Sequence, residues 1–137
     1  MNYESIDIGT EVASREIDDI RGEEIKLGVG VLRDQNPIHF DGYAAAEENR
    51  ELANLGPINM AYVMQVVLSF AERPERIERY DIRFEANVFA GDTVSATAVV
   101  ADKHRDGDEY VFELDIALEK SDGTTLISGT ATVRVPA

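Results

Sequence analysis

The sequence predicts a single α+β domain over residues 1–137, in which a five-stranded antiparallel sheet wraps around one long central helix. Two observations predict this class. One apolar segment in the middle of the chain has helical length and no polar face, and four segments with strand-like patterns follow it. A chain of 137 residues, 44% of them hydrophobic, is long enough to bury one such core.

The central helix is predicted to begin at Pro57 and to continue through Ile58–Ala71, after a loop at 54–56. Proline is favoured at the first helical position, because its missing N–H would have no helical partner there. The segment is apolar almost all the way round, and such a helix is buried on most of its sides. A domain of this size can bury it by curving a sheet around it.

The predicted strands are separated by turn signals at 105–108 and 121–123. One of them alternates Tyr80, Ile82 and Phe84 with charged residues, which is typical of a sheet with one buried face. We expect the four strands after the central helix to form an antiparallel meander, with a fifth strand near the N-terminus. The predicted strands are 10–17, 79–86, 93–101, 110–118 and 126–135.

Two further helices are predicted in the first half of the chain. The first covers 20–32 and follows Asp18 and Asp19, which the positive end of the helix dipole favours. Gly28 and Gly30 within it weaken its helix propensity. The second covers 42–54, which is rich in strong helix formers. Asp34 is expected at or just past the end of the first helix.

The net charge is −14, from 27 acidic and 13 basic residues. Such an acidic surface repels phosphate backbones, so we expect no nucleic-acid partner. Only three of the basic residues are lysines. A salt-adapted protein would show this balance, and so would an ordinary acidic cytosolic protein, so both interpretations stay open.

The chain has no cysteine, which excludes disulfides and thiolate ligands and fits a reducing compartment. The first residues lack the basic-then-apolar pattern of a signal peptide, and the apolar stretch 58–71 is too short to span a bilayer. We therefore expect a cytoplasmic protein with no membrane partner. No metal-ligand spacing and no phosphate-cradling glycine motif is present, so we expect no metal and no cofactor.

The segment that begins at Asp34 is the most informative one for function. It places Asp34 and His39 five positions apart, with Asn36–Pro37 between them as a helix breaker that turns the chain. A carboxylate and an imidazole held together can transfer protons near neutral pH. The same two residues can also be structural, with Asp34 capping a turn and His39 bonded to a backbone carbonyl.

This segment reads Asp-x-Asn-Pro-Ile-His-x-Asp and resembles the signature of the MaoC-like (R)-specific enoyl-CoA hydratases and dehydratases, which have the hotdog fold. The resemblance continues at Gly56–Pro57 and at 83–92, and it covers most of the chain at low identity. It implies one MaoC-like hotdog domain that adds water to an enoyl thioester or removes water from a 3-hydroxyacyl thioester. The thioester of coenzyme A or acyl carrier protein would be the substrate, so no separate cofactor is implied.

The resemblance also implies roles for single residues. Asp34 and His39 would hold the water and move its protons, and the backbone N–H of Gly56 would bind the thioester carbonyl oxygen at the start of the central helix. Asn36 and Pro57 are predicted to contact the substrate, although a turn before proline accounts for Asn36 more simply. A glycine at a helix entry can likewise serve only the backbone.

The chain departs from the resembled family at the start of the central helix. Leu55 stands where members commonly carry a histidine, and Pro57 and Ile58 stand where Met-Leu often occurs. One alternative is therefore a non-catalytic or partner subunit of a mixed hotdog assembly. Another is a hotdog thioesterase, which usually has an acid on or near the central helix, whereas Ile58–Ala71 contains none.

Oligomerisation is expected, because a single five-stranded sheet leaves open strand edges that are usually paired or covered. The resemblance implies a homodimer or a hotdog heterodimer that joins two sheets edge to edge, with the active site near the interface.

Overall fold

The computed structural model describes residues 1–48 and 50–137 and shows one antiparallel sheet packed around one long helix. The predicted α+β class, with five strands and a central helix, is confirmed. Single turns of 3-10 helix lie at 3–5, 37–39 and 74–76. The helices are α1 (Gly22–Leu32), α2 (Gly42–Glu47) and α3 (Gly56–Ala71), and the strands are β1 (Glu11–Ile17), β2 (Ile77–Phe84), β3 (Val94–Asp106), β4 (Glu109–Lys120) and β5 (Thr125–Pro136).

The strand order in the sheet is β1-β3-β4-β5-β2. The predicted meander is correct for β3, β4 and β5 but wrong for β2, which pairs with β5 at the far edge. Residues 85–93 carry the chain from that edge back to β3, and they are fixed by long-range backbone bonds. Asn54 donates to the carbonyl of Val88 at 2.7 Å, and Gly91 donates to the carbonyl of Ile20 at 2.7 Å. These contacts are distant in sequence, so the local pattern could not predict them.

Helix α3 contacts all five strands and buries one side against them. Val63, Val67 and Phe70 are completely buried, whereas Met60 and Leu68 are 38% and 37% exposed. The predicted burial on most sides is therefore correct only for the side that faces the sheet. Among the described residues, no helix is long and apolar enough to cross a membrane.

Helix α3 begins at Gly56, one residue before the predicted start at Pro57. The extended backbone of Leu55 takes the N-cap position, so the proline occupies the second helical position. Proline is tolerated there for the same reason as at the first position, since the early N–H groups of a helix have no helical partners.

Helix α1 begins at Gly22 rather than at residue 20, because Ile20 is fully buried and donates its N–H to the carbonyl of Asp92. Gly28 lies where α1 meets the start of α3. A Cβ at this position would lie 2.5 Å from Cδ1 of Ile58 and 3.2 Å from Cδ1 of Leu55. The glycine thus permits the close packing that holds the C-terminal end of α1 beside α3.

The predicted helix over 42–54 is too long, because α2 ends at Glu47. Asn49, which lies within the predicted helix, is outside the described residues. The following segment is extended instead: Ala53 forms a β-bridge with Phe89, and Ala90 donates to the carbonyl of Leu52 at 2.8 Å. Pairing with this distant segment outweighs local helix propensity, which differs among ordinary residues by only about 0.7 kcal/mol.

Candidate active site

The turn that carries Asp34 is formed by the end of α1. Arg33 caps the helix in the left-handed conformation, with φ 53° and ψ 39°. Oδ1 of Asp34 then accepts the backbone N–H of Asn36 at 2.9 Å, which closes a turn typical of aspartate. One carboxylate oxygen therefore fixes the turn, and Oδ2 is left to point elsewhere.

Asn36 continues this turn into the short 3-10 helix at 37–39. Its Oδ1 accepts the N–H of Ile38 at 3.3 Å, and Pro37 occupies the start of the helix. The residue is exposed and serves as a cap. This local role is the turn-forming one that the sequence suggested as the simpler interpretation of Asn36.

One ring nitrogen of His39 is held by a backbone carbonyl, and the other lies near Asp34. Its Nδ1 lies 2.7 Å from the carbonyl oxygen of Ala53. A carbonyl oxygen only accepts, so Nδ1 carries the proton and donates it, and Nε2 of the neutral ring has a free lone pair. Nε2 lies 3.6 Å from Oδ2 of Asp34, and the two side chains are 12% and 36% exposed. The structure thus brings the predicted pair together and fixes the imidazole tautomer.

Gly56 presents its backbone N–H at the start of α3. Among the described residues this N–H has no backbone partner, whereas the N–H groups of Ile58 and Asn59 both donate to the carbonyl of Leu55. Gly56 is not among the glycines with positive φ, so its backbone conformation does not demand glycine. The positive end of the helix dipole lies at this N–H, which suits an oxygen that gains negative charge.

His39 and Gly56 line the same open cavity of about 330 Å³. Asp34 does not line it and meets the histidine ring at Nε2. Neither Asn36 nor Pro57 lines this cavity, and the exposed Pro57 lies instead in an apolar groove between α1 and α3. The cavity is lined by His39, Asn54, Gly56, Asn59, Phe84, Glu85, Ala86 and Asn87.

No protein-family model and no curated protein matches this chain in sequence. Solved structures do match it in three dimensions. The R-hydratase PhaJ1 from Pseudomonas aeruginosa superposes with a TM-score of 0.81 at 21% identity, over 98% of this chain and 84% of that one. This chain has the hotdog fold.

Two other solved hotdog structures are similar over nearly the whole chain. The MaoC-like dehydratase from Rhodospirillum rubrum has a TM-score of 0.80 at 19% identity, covering 98% of this chain and 95% of that one. A chain of the ChsH1–ChsH2 complex from Mycobacterium tuberculosis has a TM-score of 0.72 at 19% identity, covering 95% and 97%. At these identities the similarity establishes the fold, and the chemistry depends on the residues of the site.

Two asparagines that the sequence motif does not include also line the cavity of this hotdog domain. Asn54 and Asn59 are only 6% and 5% exposed. Nδ2 of Asn54 donates to Oδ1 of Asn59 at 2.9 Å and lies 3.3 Å from the hydroxyl of Tyr62. The available signal was the presence of two amides on either side of Gly56 in an otherwise apolar stretch. Leu55, where the resembled family carries a histidine, is completely buried in the core.

A second cleft, of about 420 Å³, adjoins the first and shares Ala86 and Asn87 with it. Arg50 and Lys120 bring positive charge to this second cleft. Lys120 pairs with Asp92 at 2.8 Å, and the hydrogen bond that it donates to this carboxylate raises the pKa of the lysine. Asp122 also lines this cleft, and with Lys120 held by Asp92 the positive charge that an anionic ligand group would meet there is that of Arg50.

Proposed function

We propose that this chain is an (R)-specific enoyl-thioester hydratase, which also catalyses the reverse dehydration of 3-hydroxyacyl thioesters. One observation carries the proposal: a histidine with a fixed tautomer, in contact with a carboxylate, shares a cavity with the free N–H at the start of a helix. Proton transfer and stabilisation of an oxyanion are the two tasks that this reaction requires.

In the proposed reaction the thioester carbonyl oxygen accepts the N–H of Gly56. A water molecule donates one hydrogen to Nε2 of His39 and the other to the carboxylate of Asp34, since both are acceptors in the resting site. The water oxygen bonds to the β-carbon as one member of the pair takes its proton, and the double-bond electrons move to an enolate on the thioester. The α-carbon then receives a proton from the pair, so water is consumed and the enzyme returns to its starting state.

The direct test is hydration of enoyl-CoA esters by the purified protein, followed as loss of the enoyl absorbance. Short, long, branched and ring-bearing acyl groups should be compared. The product should be oxidised by an (R)-specific 3-hydroxyacyl dehydrogenase and not by an (S)-specific one. Absence of turnover on every ester, with the protein folded, would contradict the proposal.

The carrier of the acyl group is proposed to be coenzyme A or acyl carrier protein, both of which contain phosphate. Arg50 in the adjoining cleft supports this proposal, because phosphate and cationic side chains form strong charge-assisted hydrogen bonds. Arg50 lies 3.6 Å from Glu48 and is about half exposed, so its guanidinium can turn to a ligand.

We further propose that two hotdog domains pair through the free edge of β2, as a homodimer or with a different hotdog chain. Phe84 at the end of β2 is 53% exposed and lies beside Gly56, where its ring atoms would be 3.5 Å from an added Cβ. A partner at this edge would cover an exposed aromatic ring next to the site. Light scattering of the purified chain should give twice the mass of one chain, and a single-chain mass would favour a different partner.

A non-catalytic role in a mixed hotdog assembly is the second candidate, favoured by the buried Leu55 in place of a polar residue at the helix start. The similarity to a chain of the ChsH1–ChsH2 complex supports a mixed assembly as the setting of this role. The two candidates differ in one measurement, because a partner subunit would show no turnover alone and no effect of Asp34→Asn on the activity of the assembly.

A further inference from the structure

Within the part of the chain that the structure describes, the start of α3 offers only one backbone donor to a ligand. Pro57 has no N–H, and the N–H groups of Ile58 and Asn59 already donate to the carbonyl of Leu55. A site that stabilises an oxyanion usually aims more than one donor at the oxygen, and each donor contributes about 10²–10³-fold in rate. The backbone of this helix therefore supplies one donor to the thioester oxygen, and a second donor has to come from a side chain.

The side chain of Asn59 is placed to supply it. Asn59 lies one turn after Gly56, so both share one face of the helix, and long helical side chains point back toward the N-terminus. Its Oδ1 accepts from Asn54, which turns the NH2 group away from that residue. In residues 1–48 and 50–137, every completely buried side-chain nitrogen or oxygen has a hydrogen-bond partner. Nδ2 of Asn59 donates to none of these residues, so it is not completely buried. Since Asn59 is 5% exposed and lines the cavity, its Nδ2 faces that cavity.

We infer that Asn59 is a further catalytic residue, whose Nδ2–H donates the second hydrogen bond to the thioester oxygen beside the N–H of Gly56. This inference rests on the proposed hydratase function and adds to it a residue that the sequence resemblance did not assign. Asn54 is a positioning residue, because its bond to Oδ1 decides which end of the Asn59 amide faces the substrate.

The arrangement also explains how the site works with Leu55 and Pro57 at the helix start. A buried amide held by a second amide is already oriented before the substrate binds, so no reorganisation is needed as the charge develops. Because the oxygen becomes more negative in the enolate than in the substrate, the bond from Asn59 strengthens along the reaction. Its loss should therefore lower kcat more than it raises KM.

The test uses two variants of Asn59 and one control. Asn59→Ala removes the donor, and Asn59→Asp keeps the size and the acceptor for Asn54 but replaces the donor by a charge that repels an oxyanion. We expect kcat to fall about 10²-fold in Asn59→Ala and at least as far in Asn59→Asp. Ser69→Ala, on the exposed side of the same helix, should keep the wild-type kcat. Circular dichroism checks the fold, and Asn59→Asp remains informative if Asn59→Ala does not fold.

A second readout does not depend on turnover. Butyryl-CoA labelled with carbon-13 at its carbonyl is saturated and cannot be hydrated, and its carbonyl infrared band falls in frequency with each hydrogen bond accepted. The bound band should be lower in the wild type than in Asn59→Ala. Equal bands, failure of the ester to bind, or an unchanged kcat in both Asn59 variants would overturn the inference. A band that depends on Asn59 in a protein without hydratase turnover would support the inference and contradict the proposed reaction instead.

Discussion

His39 shows how a single residue can satisfy a structural contact and still be available for chemistry. The backbone carbonyl of Ala53 holds Nδ1, which is the contact that a purely structural histidine would make. In the neutral ring the same contact places the proton on Nδ1 and leaves the lone pair on Nε2, next to Asp34. The turn bond to Oδ1 of Asp34 works in a similar way, because it leaves Oδ2 for the imidazole. At the residue scale, the structural and chemical interpretations are therefore compatible.

The first prediction concerns this pair. Asp34→Asn and His39→Ala should each lower kcat about 10²–10⁴-fold, because each removes a group that moves a proton. The matched control is Asp41→Asn, which makes the same chemical change seven residues away at the N-cap of α2. Asp41 accepts the N–H of Tyr43 at 2.9 Å, and asparagine caps a helix equally well. Hydratase kinetics with a thermal melt of each variant would check this, and equal losses in Asp34→Asn and Asp41→Asn would contradict it.

A second prediction at the residue scale concerns the carrier. Arg50→Gln should raise KM for CoA esters several-fold with little change in kcat. The change removes a charge from the cleft where we propose that the phosphates of the carrier bind, and Arg50 touches no reacting atom. The effect should shrink as ionic strength rises, since salt screens partly exposed charges. Arg73→Gln is the control, as Arg73 is an exposed arginine that lines neither cleft. A KM that is equally raised in both variants would indicate a general charge effect.

At the scale of elements, the sequence predicted what depends on local pattern. The apolar run of α3 and the alternation in β4 can each be recognised within the segment itself, because burial imposes the period of a helix or strand on its own residues. The pairing of β2 with β5 and the early end of α2 depend on contacts between distant segments, so they were predicted incorrectly. The candidate site divides in the same way: Asp34, His39 and Gly56 stood out by motif, whereas Asn54 and Asn59 became visible only when folding placed them in one cavity.

The contact between β5 and β2 gives a prediction about stability. A Cβ on Gly129 would overlap the carbonyl oxygen of Asp81 and lie 2.9 Å from Cα of Ile82. Gly129→Ala should therefore lower the free energy of unfolding by about 1–3 kcal/mol, as backbone shifts do in an overpacked core. Gly30→Ala makes the same change in α1, where an added Cβ meets nothing within 4 Å, and it should be neutral or stabilising. Urea unfolding of both variants checks the difference, and equal stability would exclude the close approach of the strands.

Tyr80 connects β2 with α3, and we expect its ionisation to lower the stability of the fold at alkaline pH. Its hydroxyl donates to the carbonyl of Met60 at 3.0 Å, and burial raises its pKa from 10.0 to about 12. Because the pKa in the folded state is the higher one, the stabilisation is complete below pH 10 and is lost as the pH rises to about 12. The melting temperature of the wild type should fall through that window more steeply than that of Tyr80→Phe. Absorbance at 295 nm should show a late-titrating phenol that the variant lacks.

At the scale of the whole molecule, the net charge of −14 dominates the long-range electrostatics. Several of the basic residues are committed to local ion pairs: Arg134 lies near Glu78, Asp106 and Glu109, and Lys120 pairs with Asp92. The contact with Arg134 holds the pKa of Asp106 below its usual value. The remaining acidic surface repels itself and opposes the compact state.

Added salt should therefore raise the melting temperature. Screening of exposed charges is largely complete near physiological ionic strength, where the Debye length is about 8 Å. In an ordinary acidic protein the rise should level off there, whereas a continued rise toward molar salt would favour the salt-adapted interpretation of the composition.

The control is Glu11→Lys with Glu16→Lys, on exposed positions of the edge strand β1. Each change replaces a negative charge by a positive one, so the two together bring the net charge from −14 to −10 and should reduce the salt dependence. An unchanged slope in this double variant would show that ion binding at specific sites, rather than general repulsion, causes the effect.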